Sequence, residues 1–257
     1  MSVPTIVVHR DADVLAKAVA ARIITRLVDA QSATGSASLV LTGGTVGTAT
    51  LAAIAATPAR DAVDWSRLDI WWGDERFLPS GDPERNETGA RRALLDQVDV
   101  DPERVHVMLG PDSGLTAEEA ADAYATELRK AARPEDHGPA PSFDVMLLGM
   151  GPDAHVASLF PGMPALYDTR PVVAVHGSPK PPPTRISLTL PVIQGSREVW
   201  VIAAGEEKSG AVRLALSESG PVQVPAAGAH GRSRTLFLLD RAAAGKIPPG
   251  MGRIASP

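Results

Sequence analysis

The chain of 257 residues contains no cysteine. Disulfides, thiolate metal sites and cysteine nucleophiles are therefore excluded. It also lacks the run of about 20 apolar residues that a membrane helix needs. No extended basic patch appears and the net charge is -5, so nucleic acid is not an expected partner. No basic segment followed by an apolar stretch opens the chain, so no signal peptide is expected. A soluble cytoplasmic protein, away from membranes, is the default expectation. No internal repeat is found. What is present is a 44% hydrophobic chain, long enough for a substantial core. It reads as a single α/β domain over 1–257, with a proline- and glycine-rich tail after about 245 expected to fray.

Hydrophobic patterning predicts β and α segments in alternation, with about eight strands. Short apolar or β-branched runs lie at 5–8, 38–41, 68–72, 105–108, 145–148, 172–175, 185–190, 199–203 and 235–239. Helical periodicity is expected over 11–30, from the glycine turn to about 56, over 86–97, after a Thr116/Glu119 capping box to about 132, and over 206–216. Residues 31–36 and 133–142 read as polar connections. This order implies a mainly parallel, Rossmann-like sheet with helices on both faces.

The central stretch is 143–161. Its apolar run, Val145 to Leu148, reads as a strand buried on both faces. It stops at Gly149 and Gly151, and Asp153 and His155 follow at once. The carboxyl end of a buried strand is where open α/β sheets place ligands. Histidine titrates near neutral pH and suits proton transfer, and a carboxylate two residues away is able to orient it. Taken alone, this segment reads more readily as a capping or solvent-exposed histidine than as a catalytic one.

A second strand runs into Thr42, Gly43, Gly44 and Thr45 before a helix. That arrangement offers N–H groups and a helix dipole to a phosphate, though a plain tight turn reads equally well. It is not a Walker loop, because the Lys-Ser/Thr pair is missing, and its glycine spacing is not that of a dinucleotide site. The third strand ends in Gly73, Asp74, Glu75 and Arg76. Asp74 suits a sugar hydroxyl and Arg76 suits an anion, with a salt-bridged loop as the alternative. Three consecutive prolines, 181–183, predict an extended loop leading to Arg185 at a strand's start. Lys208 falls in the first turn of a helix, opposing its dipole unless an anion shares the site.

These pieces together resemble the 6-phosphogluconolactonase family. The matching stretches are 41–45, 72–76, the helix start at Asn86, 148–155 with 158–161, 180–186 and 205–208, in the family's order. The resemblance implies a fold shared with glucosamine-6-phosphate deaminases. It implies hydrolysis of 6-phosphoglucono-1,5-lactone to 6-phosphogluconate, with no metal or organic cofactor, by a monomer or weak homodimer. It makes His155 the residue that activates water, with Asp153 orienting it or contacting the sugar. It places Arg76 and Asp74 along the substrate. Arg185 and Lys208 become phosphate ligands, joined by the backbone around Gly43, Gly44 and Thr45.

Two departures stand out. The family usually has glycine where Ala154 stands and threonine where Val156 stands. If position 154 needs positive φ, alanine costs on the order of 1 kcal/mol. The deaminases place a glutamate five residues beyond the histidine, whereas this chain has Phe160, which transfers no proton. Ser158 lacks the Gly-x-Ser-x-Gly elbow of a serine nucleophile, so no covalent intermediate is expected.

Overall fold

The computed structural model describes residues 4–136, 138–217 and 219–255. Among these, the strands are β1 (Thr5–His9), β2 (Ala37–Leu41), β3 (Leu68–Trp72), β4 (Asp74–Arg76), β5 (Val145–Gly149), β6 (Val172–Val175), β7 (Arg185–Leu188), β8 (Glu198–Ala203), β9 (Arg234–Asp240) and β10 (Gly252–Ile254). The helices are α1 (Ala12–Thr34), α2 (Gly44–Ala56), α3 (Asn86–Ala93), α4 (Ala117–Ala131), α5 (Leu190–Gly195), α6 (Ser209–Ala215) and α7 (Pro225–Gly228).

Seven strands form one parallel sheet in the order β10-β1-β9-β8-β5-β2-β3. The continuous apolar run of β5 suits its central place, because both faces are covered. Side chains alternate along it. Val145 and Leu147 pack with α1, α2 and α3, while Met146 and Leu148 pack with α4, α5 and α6. The expected stripe of α1 is the buried face: Leu15, Val19, Ile23 and Leu27. Asp11 caps its N-terminus, accepting the Val14 N–H at 2.8 Å.

The chain leaves β2 toward β3, but leaves β5 toward β8, on the opposite side. The carboxyl ends of β2 and β5 therefore diverge at a topological switch point, which opens a crevice.

The structure differs from the sequence reading in several places. α1 continues through 31–34, because the chain first turns left-handed at Gly35, φ 82°. The segment at 105–108 is not a strand; Val105 makes only an isolated bridge to Ile70. α3 ends at Ala93 and a separate 3-10 turn follows at Leu95–Gln97. The helix expected over 206–216 is a 3-10 turn, Glu206–Lys208, followed by α6. Within the tail, β10 pairs with β1 and covers what would be an open sheet edge. A second, antiparallel sheet, β4-β7-β6, was not foreseen as a unit. Its strands are three or four residues long, too short for a clear alternation. Gly73 joins the two sheets: its N–H donates to Leu41 and its carbonyl accepts from Leu188.

Candidate active site

The crevice at the switch point is a cleft of about 250 Å³. Three parts build it: the turns after β2 and β5, the small sheet's edge, and the segment before α6.

After β5 the chain makes a tight turn. The Gly151 N–H donates to the His155 carbonyl and the Ala154 N–H donates to the Gly151 carbonyl, both at 3.0 Å. The turn folds the two functional side chains back over Gly151, where a Cβ would overlap both the imidazole and the Asp153 carboxylate. Ala154 holds φ 66° and Ala157 φ 50°, both left-handed. The positive φ that the sequence made conditional at position 154 is therefore present. The second such residue, at 157, carries no sequence signal.

His155 Nδ1 lies 2.5 Å from Asp153 Oδ1. An ionised carboxylate only accepts, so Nδ1 carries a proton, and in the neutral ring Nε2 is the acceptor. Burial pushes the Asp153 carboxyl up, but the hydrogen bond and charge of His155 outweigh it and hold it at about 2. His155 lines the cleft, whereas Asp153 bonds the ring from outside the lining. The imidazole also leans on Phe160, ring centroids 4.5 Å apart.

After β2, Gly43 begins the 13-residue α2 without a side-chain cap hydrogen bond. Gly44 has φ 79°. Gly43 and Gly44 line the main cleft, and Thr45 lines the hollow that adjoins it. Gly43 is required because Asn86 occupies the space of a Cβ.

The small sheet contributes Asp74, Arg76 and Arg185. Arg76 donates to the Glu84 carbonyl at 2.7 Å and to Asn86 Oδ1 at 2.8 Å. Arg185 is buried and donates to the carbonyls of Lys180, Pro181 and Pro182, at 3.0, 3.1 and 3.2 Å. These acceptors are neutral, so the charge stays available. Burial lowers the Arg185 pKa below the ordinary arginine value. The proline loop thus acts as a bracket for the guanidinium, with Pro181–Pro182 cis. Asp74 is buried and accepts from Ser158 Oγ at 2.6 Å. Ser158 is itself fully buried.

Glu75, between these residues, turns elsewhere. It accepts the N–H groups of Asn86 and Glu87 at 2.7 and 2.8 Å and caps α3. Burial raises its pKa, opposed by these hydrogen bonds and by Arg85. Lys208 enters the cleft from the 3-10 turn before α6. Burial lowers its pKa, and the neighbouring Lys180 lowers it further. Lys180 and Asn86 line the cleft too. Neither was singled out as a site residue from sequence, although both lie in the matching stretches. A cation beside Arg185 in the proline string was the available signal for Lys180.

The fold and the cleft define a Rossmann-like α/β enzyme with an oriented imidazole and a cationic wall at the sheet's carboxyl edge. A family model described as glucosamine-6-phosphate isomerases/6-phosphogluconolactonase matches residues 10–238. The chain belongs to this family. A 6-phosphogluconolactonase of Streptomyces coelicolor is 63% identical over 248 residues, covering 95% of each chain. A 6-phosphogluconolactonase of Mycobacterium tuberculosis is 49% identical over 247 residues, covering 95% of this chain and 98% of the relative. The solved 6-phosphogluconolactonase from Trypanosoma brucei superposes with a TM-score of 0.82 at 30% identity, covering 95% of this chain and 99% of that one.

Proposed function

We propose that this chain hydrolyses 6-phospho-D-glucono-1,5-lactone to 6-phospho-D-gluconate, by water attack that His155 assists. One observation carries the mechanism: the cleft holds an imidazole with Nδ1 bound to Asp153, while Lys180, Arg185 and Lys208 line it without carboxylate partners among the described residues. A lactone phosphorylated at its far end needs such a two-ended site. The names of the relatives supply the substrate.

In this reading the phosphate sits against Arg185, Lys208 and Lys180, with the N–H groups at Gly44 and Thr45 beside it. That anchor holds the ring carbonyl near His155. His155 Nε2 takes a proton from water as its oxygen bonds to the carbonyl carbon. The charge that develops on the carbonyl oxygen is stabilised by Arg76. Collapse of the tetrahedral adduct breaks the bond to the ring oxygen, which takes the proton back from His155. Asp153 keeps the imidazole oriented and stabilises its charged form. Asp74 accepts from a sugar hydroxyl with a lone pair left free by Ser158 and Asn86. A positioned base supplies about 10²–10⁴-fold, which suits an already activated ester without a covalent intermediate.

The deaminase reading is disfavoured at Phe160, whose buried ring packs on His155 where a ring-opening acid is needed. The decisive assay is acid release from freshly made lactone at constant pH. Acceleration by the protein, lost at least a hundredfold in His155→Ala, is expected. Tight binding of the lactone without acceleration overturns the proposal.

A further inference from the structure

Among the described residues the Arg76 guanidinium has one anchoring side chain, and that side chain is Asn86. Asn86 Oδ1 accepts from Arg76 Nη1 at 2.8 Å. Asn86 Nδ2 donates to the Asp74 carbonyl at 2.8 Å and to Asp74 Oδ1 at 3.3 Å. The amide has only one workable orientation, because a guanidinium only donates while a carbonyl and a carboxylate only accept. Asp74 is fixed in turn from its other oxygen by Ser158. The backbone N–H of Asn86 is held by Glu75 at 2.7 Å. Its side chain also fills the space over Gly43, at the start of α2. Arg76 Nε is buried and has no hydrogen-bond partner among the described residues, so the guanidinium is held through Nη1.

We propose that Asn86 is a positioning residue that sets the Arg76 guanidinium for catalysis, with Asp74 and Ser158 as its backing. The buried line Ser158–Asp74–Asn86–Arg76 ends at the group assigned to the developing oxyanion. An oxyanion donor works through its aim, and loss of one costs about 10²–10³ in kcat. Asn86 never needs to touch substrate to share in that effect. The inference rests on the role given to Arg76 above.

The test is a double-mutant cycle on lactone hydrolysis by the full chain, using Asn86→Ala, Arg76→Ala and the pair. Asn86→Ala is expected to lower kcat at least tenfold with KM changed less than threefold. In the Arg76→Ala background the same change should lower kcat less than twofold. Added guanidinium ion should restore part of the activity of Arg76→Ala, and less than a third as much when Asn86 is also replaced. Asn86→Leu keeps a side chain of similar shape but accepts nothing from Arg76 and donates nothing to Asp74. It should behave like Asn86→Ala, which covers the case that the alanine variant fails to fold. Fully additive losses, or equal guanidinium rescue in both backgrounds, overturn the positioning role while leaving Arg76 catalytic. Undiminished kcat in Arg76→Ala overturns the Arg76 assignment, and this inference with it.

Discussion

Arg76 and Arg185 stand directly opposite each other across the β4–β7 ladder. Like charges facing each other in an antiparallel pair are destabilising. Among the described residues neither guanidinium has a carboxylate within ion-pair distance. Both are held by neutral acceptors instead, through Glu84 and Asn86 on one side and the proline loop on the other. The attraction of Asp74, with Glu75 and Glu84, offsets the repulsion between the two guanidinium groups, and their hydrogen-bonding to neutral acceptors leaves both charges available to an anionic ligand.

A dianion should therefore stabilise the protein. At a hundred times its Kd, 6-phosphogluconate is expected to add about 2.7 kcal/mol. For a chain of this size that amounts to roughly 5–10 °C in Tm. Arg185→Gln should lose most of the ligand-induced shift. An unchanged shift in the variant would remove Arg185 from the anion site.

The cationic wall predicts a split between two substrates. Lys208→Ala and Lys180→Ala should each raise KM for the phosphorylated lactone by about tenfold, roughly 1.4 kcal/mol of lost binding. KM for unphosphorylated gluconolactone should stay within twofold. Steady-state kinetics on both substrates reads this directly, and equal effects on the two count against a phosphate contact.

The 153–155 pair makes a prediction in pH. The folded Asp153 carboxyl is held at about 2 against an ordinary value of 3.8. A depressed carboxyl contributes stability that is complete above about 3.8 and is lost as pH falls toward 2. The Tm advantage of the parent over Asp153→Asn should thus be constant from pH 7 to about 5 and shrink between pH 4 and 2. In kcat, Asp153→Asn should fall at least thirtyfold at pH 7, because the amide no longer fixes the ring's proton on Nδ1. A kcat unchanged by the amide would leave Asp153 without an orienting role.

The same residues show what was legible in the sequence. The parallel sheet, the α1 stripe and the turn after β5 follow from local pattern, because each needs only contiguous apolar spacing or a glycine. The roles of neighbours do not. Asp74, Glu75 and Arg76 are three adjacent charges, yet they serve three ends: the Ser158 hydroxyl, the α3 N-terminus and the cleft. Alternation along β4 and the position of α3, ten residues on, decide this. Asn86 joins Asp74 to Arg76 only because β4 and α3 meet in space, and no spacing rule carries that. α5 and α7 were missed because helices of six and four residues show no period.

Position 154 tests the backbone of the turn. Ala154 combines φ 66° with near-complete burial. Ala154→Gly relieves about 1 kcal/mol of left-handed strain but gives up roughly 0.8 kcal/mol of buried methyl, so Tm should move by less than about 3 °C. Ala154→Val meets the strain with a β-branched side chain and no free volume. It should lower Tm by several degrees and kcat along with it. A valine variant as stable as the parent would mean the turn is not held left-handed.

Gly151 gives the sharpest steric prediction. The space beside its Cα is taken by the imidazole of His155 and the carboxylate of Asp153, so a single methyl cannot be added without moving one of them. Asp153 is the less enclosed of the two, with 35% of its side chain exposed against 15% for His155. Gly151→Ala should consequently break the contact between them before it displaces the ring from the cleft. The expected signature is that of Asp153→Asn: kcat down at least thirtyfold, KM for the phosphorylated lactone within threefold, because the cations that hold the phosphate lie on other segments. Adding Asp153→Asn to Gly151→Ala should then cost less than a further threefold, since the contact is already gone. If the two losses multiply instead, the glycine is needed for the fold of the turn rather than for the approach of carboxylate to imidazole.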